Sequence, residues 1–367
     1  MNEILKAKIT CRDENKSLVV VCNDASATLH FRELYIQKIS QKYNVTTVSF
    51  SNSWPDEILN QRLWYTENIV LSSRLAQLPN ALSAILKSDI VHVFTLSAIF
   101  ATLIILLPSR RRPVLTFTGL GKLFSKKFLL RRRLLMAFLN FSIKPGTPII
   151  AQNVRDYRYL KTHIKHAKFL MSNGSGVKIP SRVAVCVNKK TKTKTKTIGF
   201  FSRPIIEKGI QDFYSIVNKL PNVDFLRIGV QTEALEQSLR AGLTNEANIR
   251  FVPTTANPEA WITECDAILL LSTYNEGTPK LLLEAAANAK PVISYHNKTF
   301  ELHVRRGCGY IAKDLTEVIN IINETPVKQF QTRGNIAYEY CLRNFNIDDV
   351  IYTYEQALAL TSHSIPS

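Results

Sequence analysis

The sequence predicts an α/β protein of two domains, and three observations support this prediction. The chain has 367 residues, about two to three times the length of an ordinary domain. Short β-branched runs alternate with helical patterns along most of it, which is typical of parallel sheets covered by helices. The low-complexity segment Asn188–Thr197, NKKTKTKTKT, has no apolar face to bury, so it marks a linker between the domains.

The predicted strands form two groups, and their apolar composition indicates burial on both faces. The first group is Leu18–Cys22, Val45–Phe50, Ile90–Phe94, Val114–Phe117, Pro148–Ala151 and Phe169–Met171, and the second is Thr197–Phe201, Asp224–Ile228, Ile249–Val252, Ala267–Leu271 and Pro291–Ser294. We therefore expect two Rossmann-like domains, 1–180 and 181–345, with a final helix at 346–367 packing back towards the first. Ligands of such sheets bind beyond the carboxyl ends of the strands, so chemistry is expected in the cleft between the domains.

Composition narrows the class of protein. With 46% hydrophobic and 21% charged residues, the chain is globular rather than disordered. Its longest apolar run, Leu96–Leu107, is shorter than the roughly 20 residues of a membrane-spanning helix. Charges in the first residues lie where a signal peptide is apolar, so export is not expected. The six cysteines are widely spaced, which indicates free thiols in a reducing cytoplasm.

Positive charge is concentrated in the middle of the chain. The net charge is +18, and residues 90–206 hold 23 Lys and Arg against a single acid, Asp156. Within this stretch Lys122–Lys144 interleaves apolar residues with seven basic ones, as an amphipathic helix on an anionic membrane surface does. The alternative is an ordinary surface helix with its apolar side in the core. Nucleic acid is not an expected partner, because no helix-turn-helix, zinc-finger or RNP-like aromatic signature accompanies the charge.

The densest cluster of functional residue types is Ser272–Ser294, STYNEGTPKLLLEAAANAKPVIS. Thr278 is a natural N-cap and Pro279 a natural first helical residue, so a helix is predicted from Pro279 to about Ala287. The free backbone N–H groups of its first turn and the positive end of its dipole form an anion site suited to phosphate.

Two carboxylates and two cations accompany this helix. Glu276 precedes it and Glu284 lies within it, where carboxylates can accept hydrogen bonds from sugar and ribose hydroxyls. Upstream, FFSRPIIEKGI offers Arg203 and Lys208 just after a predicted strand. These cations can reach a diphosphate, or they can be surface residues that pair with Glu207.

Together these residues resemble a known family. The second domain, from Ile198 to about Ile322, is similar to family 4 of the retaining glycosyltransferases, also called glycosyl transferases group 1. The similarity implies the GT-B fold, in which two Rossmann-like domains face each other across a cleft. The matching residues are Glu276, Glu284, Ala289, Pro291-Val292-Ile293, and Arg203 and Lys208 in RPIIEKG.

The first half resembles a narrower subgroup, which extends polyprenyl-diphosphate-linked saccharides. The segments that resemble it are TFTGLGKLF at Thr116–Phe124, AQNVRDYRYL at Ala151–Leu160 and GSGV at Gly174–Val177. This resemblance implies sugar transfer, with retention, from a nucleoside-diphosphate sugar such as UDP-hexose or UDP-N-acetylhexosamine to a lipid-linked saccharide in bacterial capsule, O-antigen or exopolysaccharide synthesis. It places the enzyme on the inner face of the plasma membrane and requires neither metal nor cofactor.

The resemblance also assigns roles. Glu276, Arg203 and Lys208 are the expected catalytic residues: the glutamate contacts the donor sugar, and the two cations hold the diphosphate. Glu284 is expected to bind the ribose. The expected phosphate-facing residues are Gly277, Thr278, Pro279 and Lys280.

Two departures from the family leave the acceptor side open. Thr118 stands where many members have a His, and Asn23-Asp24-Ala25-Ser26 stands where many have a Gly-Gly loop. His30 and His92 are the imidazoles of this region, and a structural role is the expectation for both. Rival functions are a sugar-nucleotide epimerase or a phosphorylase, which share the architecture, and a non-catalytic basic protein that binds membranes or nucleic acid.

Overall fold

The computed structural model describes residues 16–51, 66–71, 75–120, 129–181, 195–230, 234–244, 246–253, 258–273, 278–297 and 301–362. The chain divides into two compact units: Met1–Ser175 together with Val350–Ser367, and Gly176–Asp349. Each unit is built around one parallel sheet with helical connections. The predicted fold class, α/β with two Rossmann-like domains, is confirmed.

The first unit contains a seven-stranded sheet in the order β3-β2-β1-β4-β5-β6-β7. Its strands are β1 Ser17–Asp24, β2 Asn44–Ser51, β3 Glu67–Val70, β4 Ile90–Phe94, β5 Val114–Phe117, β6 Pro148–Ala151 and β7 Lys168–Met171. Its helices are α1 Ala25–Ile39, α2 Leu78–Lys87, α3 Leu96–Leu106, α4 Leu129–Ser142 and α5 Val154–His163. All five residues of the central strand β4 are buried, as expected for a parallel strand covered on both faces.

The second unit contains a six-stranded sheet in the order β10-β9-β8-β11-β12-β13. Its strands are β8 Thr197–Phe201, β9 Asp224–Val230, β10 Ile249–Pro253, β11 Ala267–Leu270, β12 Val292–Tyr295 and β13 Gly309–Ala312. The helices that follow are α6 Ile210–Lys219, α7 Ala234–Ala241, α8 Pro258–Glu264, α9 Lys280–Ala287, α10 Glu301–His303, α11 Leu315–Glu324, α12 Val327–Asn344 and α13 Ile347–Ser362.

Alternation along the strands supplies a core on each face of this second sheet. In β11, Ile268 and Leu270 enter one cluster, which includes residues of α9 and α12. Ala267 and Leu269 enter the opposite cluster, which includes residues of α6 and α11. Successive side chains of a strand point to opposite faces, so a short apolar run such as AILL holds two helical layers at once.

The last helix, α13, contacts the first unit through polar groups. Gln152 Nε2 donates to the Tyr354 hydroxyl at 3.0 Å. Lys42 Nζ forms an ion pair with the Glu355 carboxylate at 2.6 Å. From Val350 onward the chain groups with the first unit.

The two strand orders define where each sheet is open at its carboxyl edge. In the first unit β1 lies beside β4, and the chain leaves these two strands towards opposite sides of the sheet. In the second unit β8 and β11 have the same relationship. Such topological switch points form the crevices in which open parallel sheets bind ligands.

Most predicted strands are present within one or two residues, but two strands were missed. They are β3 and β13, which pair only with β2 and with β12 at the sheet edges. Both are four residues long and half-buried in part, so neither shows a clear apolar run. The helix predicted over Lys122–Lys144 is observed as α4, Leu129–Ser142, whereas 121–128 lie outside the described residues. Most of the predicted linker, 188–194, lies outside them as well.

Candidate functional site

The loop after β8 holds the two predicted cations at the β8/β11 switch point. Arg203 is exposed, and Lys208 is half-buried at the end of the 3₁₀ turn Ile206–Lys208. Gly209 follows with a φ of +80°, and a Cβ atom there would lie 2.5 Å from both Cβ and the carbonyl oxygen of Leu271. Only glycine allows this conformation and this close approach without strain, so the sequence Lys-Gly fixes the loop against the end of β11.

Hydrogen bonds join this loop to the segment after β11. The Thr273 backbone N–H donates to the Glu207 carbonyl oxygen at 3.0 Å, and the Thr273 hydroxyl donates to the same oxygen at 3.4 Å. The cation-bearing loop and the segment leading to α9 are therefore one connected structure. We call residues 202–209, 271–273 and the first turn of α9 the β8/β11 site.

Helix α9 begins one residue later than predicted. Lys280 is its first residue, and Pro279, rather than Thr278, is the N-cap, with an extended ψ of 135°. The extended backbone ends at Pro279, which is buried, while Thr278 is half-buried. The first helical turn therefore begins one residue further along the chain, and within it the Leu282 N–H donates to the Pro279 carbonyl oxygen at 3.1 Å. Glu276 and Gly277 lie outside the described residues.

Glu284 is buried one turn into α9, with 7% of its surface exposed. Lys280 Nζ forms an ion pair with its carboxylate at 3.0 Å across one helical turn. Burying a carboxylate is costly unless it is paired, so Lys280 orients and neutralises Glu284. Two residues predicted to bind the nucleotide thus contact each other.

A buried ion pair, which was not predicted from the sequence, is hydrogen-bonded to the first residue of the loop. Arg227 in β9 is fully buried, and its Nε lies 2.8 Å from the Glu236 carboxylate. Tyr214 donates to the same carboxylate oxygen at 3.1 Å, and burial is the largest cause that raises the pKa of Tyr214. Arg227 Nη1 also donates to the Ser202 carbonyl oxygen at 2.8 Å. A single arginine within the apolar strand DFLRIGV was the available signal.

The predicted imidazole of the first unit has a structural environment. His92 is fully buried in β4, and its ring nitrogens lie 2.8 Å from the Tyr35 hydroxyl and 2.8 Å from the Thr116 hydroxyl. Burial lowers the pKa of His92 well below its usual value, so the ring is neutral. The side chain of His30 lies outside the described side chains.

Helix α4 presents apolar and basic side chains together to solvent. Leu130, Leu134 and Phe141 are 70%, 63% and 78% exposed, and three consecutive arginines, residues 131–133, lie among them. The Phe138 ring on the same helix packs at 4.5 Å against Phe100 of α3. The three exposed apolar residues are four and seven positions apart, so they lie on one face of the helix.

Within the described parts of the chain, no group of three or more His, Cys, Asp and Glu side chains is placed to hold a metal ion. No helix there is long and apolar enough to span a membrane. The four cysteines described, Cys22, Cys265, Cys308 and Cys341, are free and buried, and burial raises the pKa of each.

Comparisons with known proteins bear on the second unit and on the fold. Residues 187–317 match the family model described as glycosyl transferases group 1. This match covers about a third of the chain and includes every predicted site residue. Curated protein sequences gave no match.

Several solved structures share the fold over almost the whole chain. HepE from Anabaena, solved with UDP and glucose, superposes with a TM-score of 0.73 at 15% identity, covering 94% of this chain and 99% of that one. Sucrose-phosphate synthase from Thermosynechococcus elongatus gives 0.67 at 14% identity, covering 93% and 98%. WaaG, a glycosyltransferase of lipopolysaccharide biosynthesis, gives 0.62 at 13%, covering 93% and 99%. At sequence identities this low, the superpositions establish a shared fold alone.

Proposed function

We propose that this protein is a retaining glycosyltransferase that takes a sugar from a nucleoside-diphosphate donor, in particular a UDP-sugar. The observation that supports this most strongly is the β8/β11 site, where the loop that carries both cations is hydrogen-bonded to the segment after β11 at a topological switch point. The family match spans this site. The HepE complexes with UDP and with UDP-glucose support the choice of nucleotide.

The proposed chemistry is stabilisation of a leaving diphosphate. As the bond between the sugar and the diphosphate breaks, negative charge develops on the departing oxygens. Arg203, Lys208 and the first-turn N–H groups of α9 would neutralise that charge, because fixed donors need no reorganisation during the reaction. The loop 202–209 is held in place, because Gly209 packs against Leu271 and the Glu207 carbonyl oxygen accepts a hydrogen bond from Thr273.

The carboxylates have separate proposed roles. Glu284, held by Lys280, would accept hydrogen bonds from the ribose hydroxyls, and Glu276 would contact the donor sugar. Thr278, Pro279 and Gly277 would form the turn that faces the phosphates. A backbone turn suits this task because its N–H groups approach phosphate oxygens without intervening side chains.

The proposed acceptor is a lipid-linked saccharide, reached by docking of the first unit on the inner face of the bacterial plasma membrane. The apolar and basic surface of α4 supports this proposal. Each basic residue near an anionic lipid surface contributes about 1 kcal/mol, and exposed Leu and Phe side chains add apolar burial in the interface. Assembly of capsule, O-antigen or exopolysaccharide is the corresponding pathway class.

Transfer can be tested by offering radiolabelled nucleotide sugars to the protein with bacterial membranes and extracting the lipids. Arg203→Ala and Lys208→Ala should each lower transfer about 10²- to 10³-fold, as loss of one donor to developing charge typically does. Lys219→Ala, at the exposed end of α6 in the same unit, is the matched control and should leave transfer near normal. Near-normal transfer by both site variants would reject the diphosphate assignment.

Membrane docking can be tested by flotation with vesicles that contain anionic lipid. Leu134→Ser and Phe141→Ser should abolish most flotation, whereas Leu342→Ser, an exposed leucine of the second unit, should not. High salt should weaken binding because it screens the arginines. If the α4 variants float like the parent protein, α4 is an ordinary surface helix. Flotation without any sugar transfer would favour the non-catalytic binding protein instead.

A further inference from the structure

The first unit contains a buried cation that has no ion-pair partner among the residues that the structure describes. Arg32 lies on α1 with 4% of its surface exposed. Among the residues that the structure describes, no carboxylate forms an ion pair with it, and its Nε is buried without a hydrogen-bond acceptor. Arginine does not lose its proton in proteins, and burying an unpaired charge is strongly unfavourable. The charge of Arg32 is therefore without an anionic partner among the described residues.

The Arg32 guanidinium packs against an aromatic ring at the carboxyl end of the sheet. Its Cζ atom lies 4.3 Å from the ring centroid of Phe94, the last residue of β4. The same charge acts on three neighbours: it opposes the rise in the pKa of Cys22 and of Tyr354, and it contributes to the low pKa of His92. Because Phe94 ends β4, which lies beside β1, the guanidinium lies near the β1/β4 switch point.

The residue after Phe94 adds a second unsatisfied donor. Thr95 has a φ of +75°, a conformation that is strained for a β-branched residue. Its Oγ1 atom is buried without a partner. Thr95 directly precedes α3, an eleven-residue helix, whose first-turn N–H groups lack partners within the helix.

Asp24, the acidic residue at the carboxyl end of β1, already accepts hydrogen bonds from other groups. Asp24, at the end of β1, accepts hydrogen bonds from the Ala27 backbone N–H at 3.3 Å and from the Ser51 hydroxyl at 2.7 Å. Its carboxylate thus stabilises the beginning of α1 and the end of β2, rather than neutralising Arg32.

We propose that the β1/β4 switch point of the first unit binds an oxyanion of the phosphate type, with Arg32 as its cation. Thr95 and the first turn of α3 would provide further hydrogen-bond donors. A tetrahedral oxyanion suits this set because several oxygens can accept hydrogen bonds from a guanidinium, a hydroxyl and backbone N–H groups at once. If the chain is the transferase proposed above, the oxyanion is the phosphate that links the acceptor saccharide to its lipid; this last step rests on the proposed function.

The test is calorimetric titration with inorganic pyrophosphate. The full-length chain carries Arg203→Ala and Lys208→Ala throughout, so that binding at the β8/β11 site does not interfere. Adding Arg32→Met should weaken pyrophosphate binding about 10-fold or more, as loss of a charged hydrogen-bond donor does. Adding Lys38→Met, which removes a charge from an exposed position of the same helix, should change it less than about twofold. Equal affinity of the Arg32→Met protein and its parent would overturn the proposal.

Thermal stability separates a binding role from a structural one. Without pyrophosphate, Arg32→Met should be at least as heat-stable as its parent, because methionine keeps the length of the side chain and removes an unpaired buried charge. A lower melting temperature with unchanged pyrophosphate affinity would assign Arg32 to packing on Phe94 and refute the proposal. Should the variant fail to fold, the Arg32 Nε–H resonance of the parent protein gives the answer: it should shift on addition of pyrophosphate, and an unmoved resonance would refute the site.

Vesicles distinguish a lipid-borne from a free phosphate. Neutral phosphatidylcholine vesicles with and without polyprenyl phosphate are offered to the parent and to Arg32→Met. Arg32-dependent binding that requires polyprenyl phosphate supports the lipid-borne source, whereas pyrophosphate binding without any such dependence supports a soluble phosphate ligand. A failed sugar-transfer assay would remove the glycosyltransferase proposal and leave the pyrophosphate result standing.

Discussion

The buried pair Arg227 and Glu236 allows a quantitative prediction about the second unit. Arg227 is fully buried, Glu236 is 2% exposed, and their charged groups lie 2.8 Å apart. Arg227→Met keeps the length of the side chain but leaves the Glu236 carboxylate unpaired. Removing one partner of such a pair costs about 3–5 kcal/mol, a large part of the roughly 5–15 kcal/mol that stabilises a typical domain.

The double variant tests whether this cost arises from the unpaired charge. Arg227→Met with Glu236→Leu removes both charges, and replacing a buried ion pair by apolar residues is often close to neutral. Both variants lose the hydrogen bonds from Arg227 to the carbonyl oxygens of Ser202, Ile228 and Gly229, and the double variant also loses the one from Tyr214, worth about 1 kcal/mol. Because only Arg227→Met leaves an unpaired buried charge, the double variant should be the more stable of the two by about 3 kcal/mol.

Hydrogen exchange followed by mass spectrometry is the suitable assay, because it reads each unit separately. With about 1.4 kcal/mol for each factor of ten, Arg227→Met should lower the protection of the β8 and β9 amides about 10²- to 10³-fold or more. The double variant should recover most of this loss. Equal loss of protection in both variants would refute the account, since it would show that the unpaired carboxylate is not the source of the cost.

Two further perturbations follow from the geometry. Gly209→Ala should lower the free energy of unfolding by about 1–2 kcal/mol and weaken UDP binding, because its φ of +80° and its contact with Leu271 both exclude a Cβ atom. Gly242→Ala is the control: a Cβ atom there would make an ordinary contact at 3.4 Å, so this variant should unfold at nearly the same temperature as the parent protein. Burial lowers the pKa of His303 to about 4, whereas a histidine of the unfolded chain takes up a proton as the pH falls below about 6.5. Acidification should therefore destabilise the second unit below that pH. His303→Asn should flatten this dependence in urea unfolding measured from pH 7 to pH 4.5.

The sequence predicted the fold because the buried parallel strands carry strong apolar patterns. Strands such as IVHVF in β4 are buried throughout and were placed to the residue. The missed strands β3 and β13 lie at sheet edges, where partial exposure weakens the apolar signal. The start of α9 was wrong by one residue because a Thr-Pro pair fits the beginning of a helix in two registers.

The site was predictable where a residue type has few other uses. Lys208 followed by Gly209 ends the 3₁₀ turn after β8, and Lys280 begins α9 one residue later than expected. The roles of these residues in binding a diphosphate stay predictions. The pairing of Lys280 with Glu284 could have been read from their spacing of four residues. Arg227 and Arg32 could not be assigned, because the role of a buried arginine depends on which strands lie side by side.

The central claim is that the β8/β11 site holds a diphosphate, and calorimetry with UDP and with uridine tests it most directly. Replacing both Arg203 and Lys208 by alanine should weaken UDP binding about 10²-fold or more, since each charged hydrogen bond contributes about 1.5–3 kcal/mol. The affinity for uridine, which carries no phosphate, should change less than twofold in the same variant, by the same reasoning. Unchanged affinity for UDP, or an equal loss for UDP and uridine, would contradict the account.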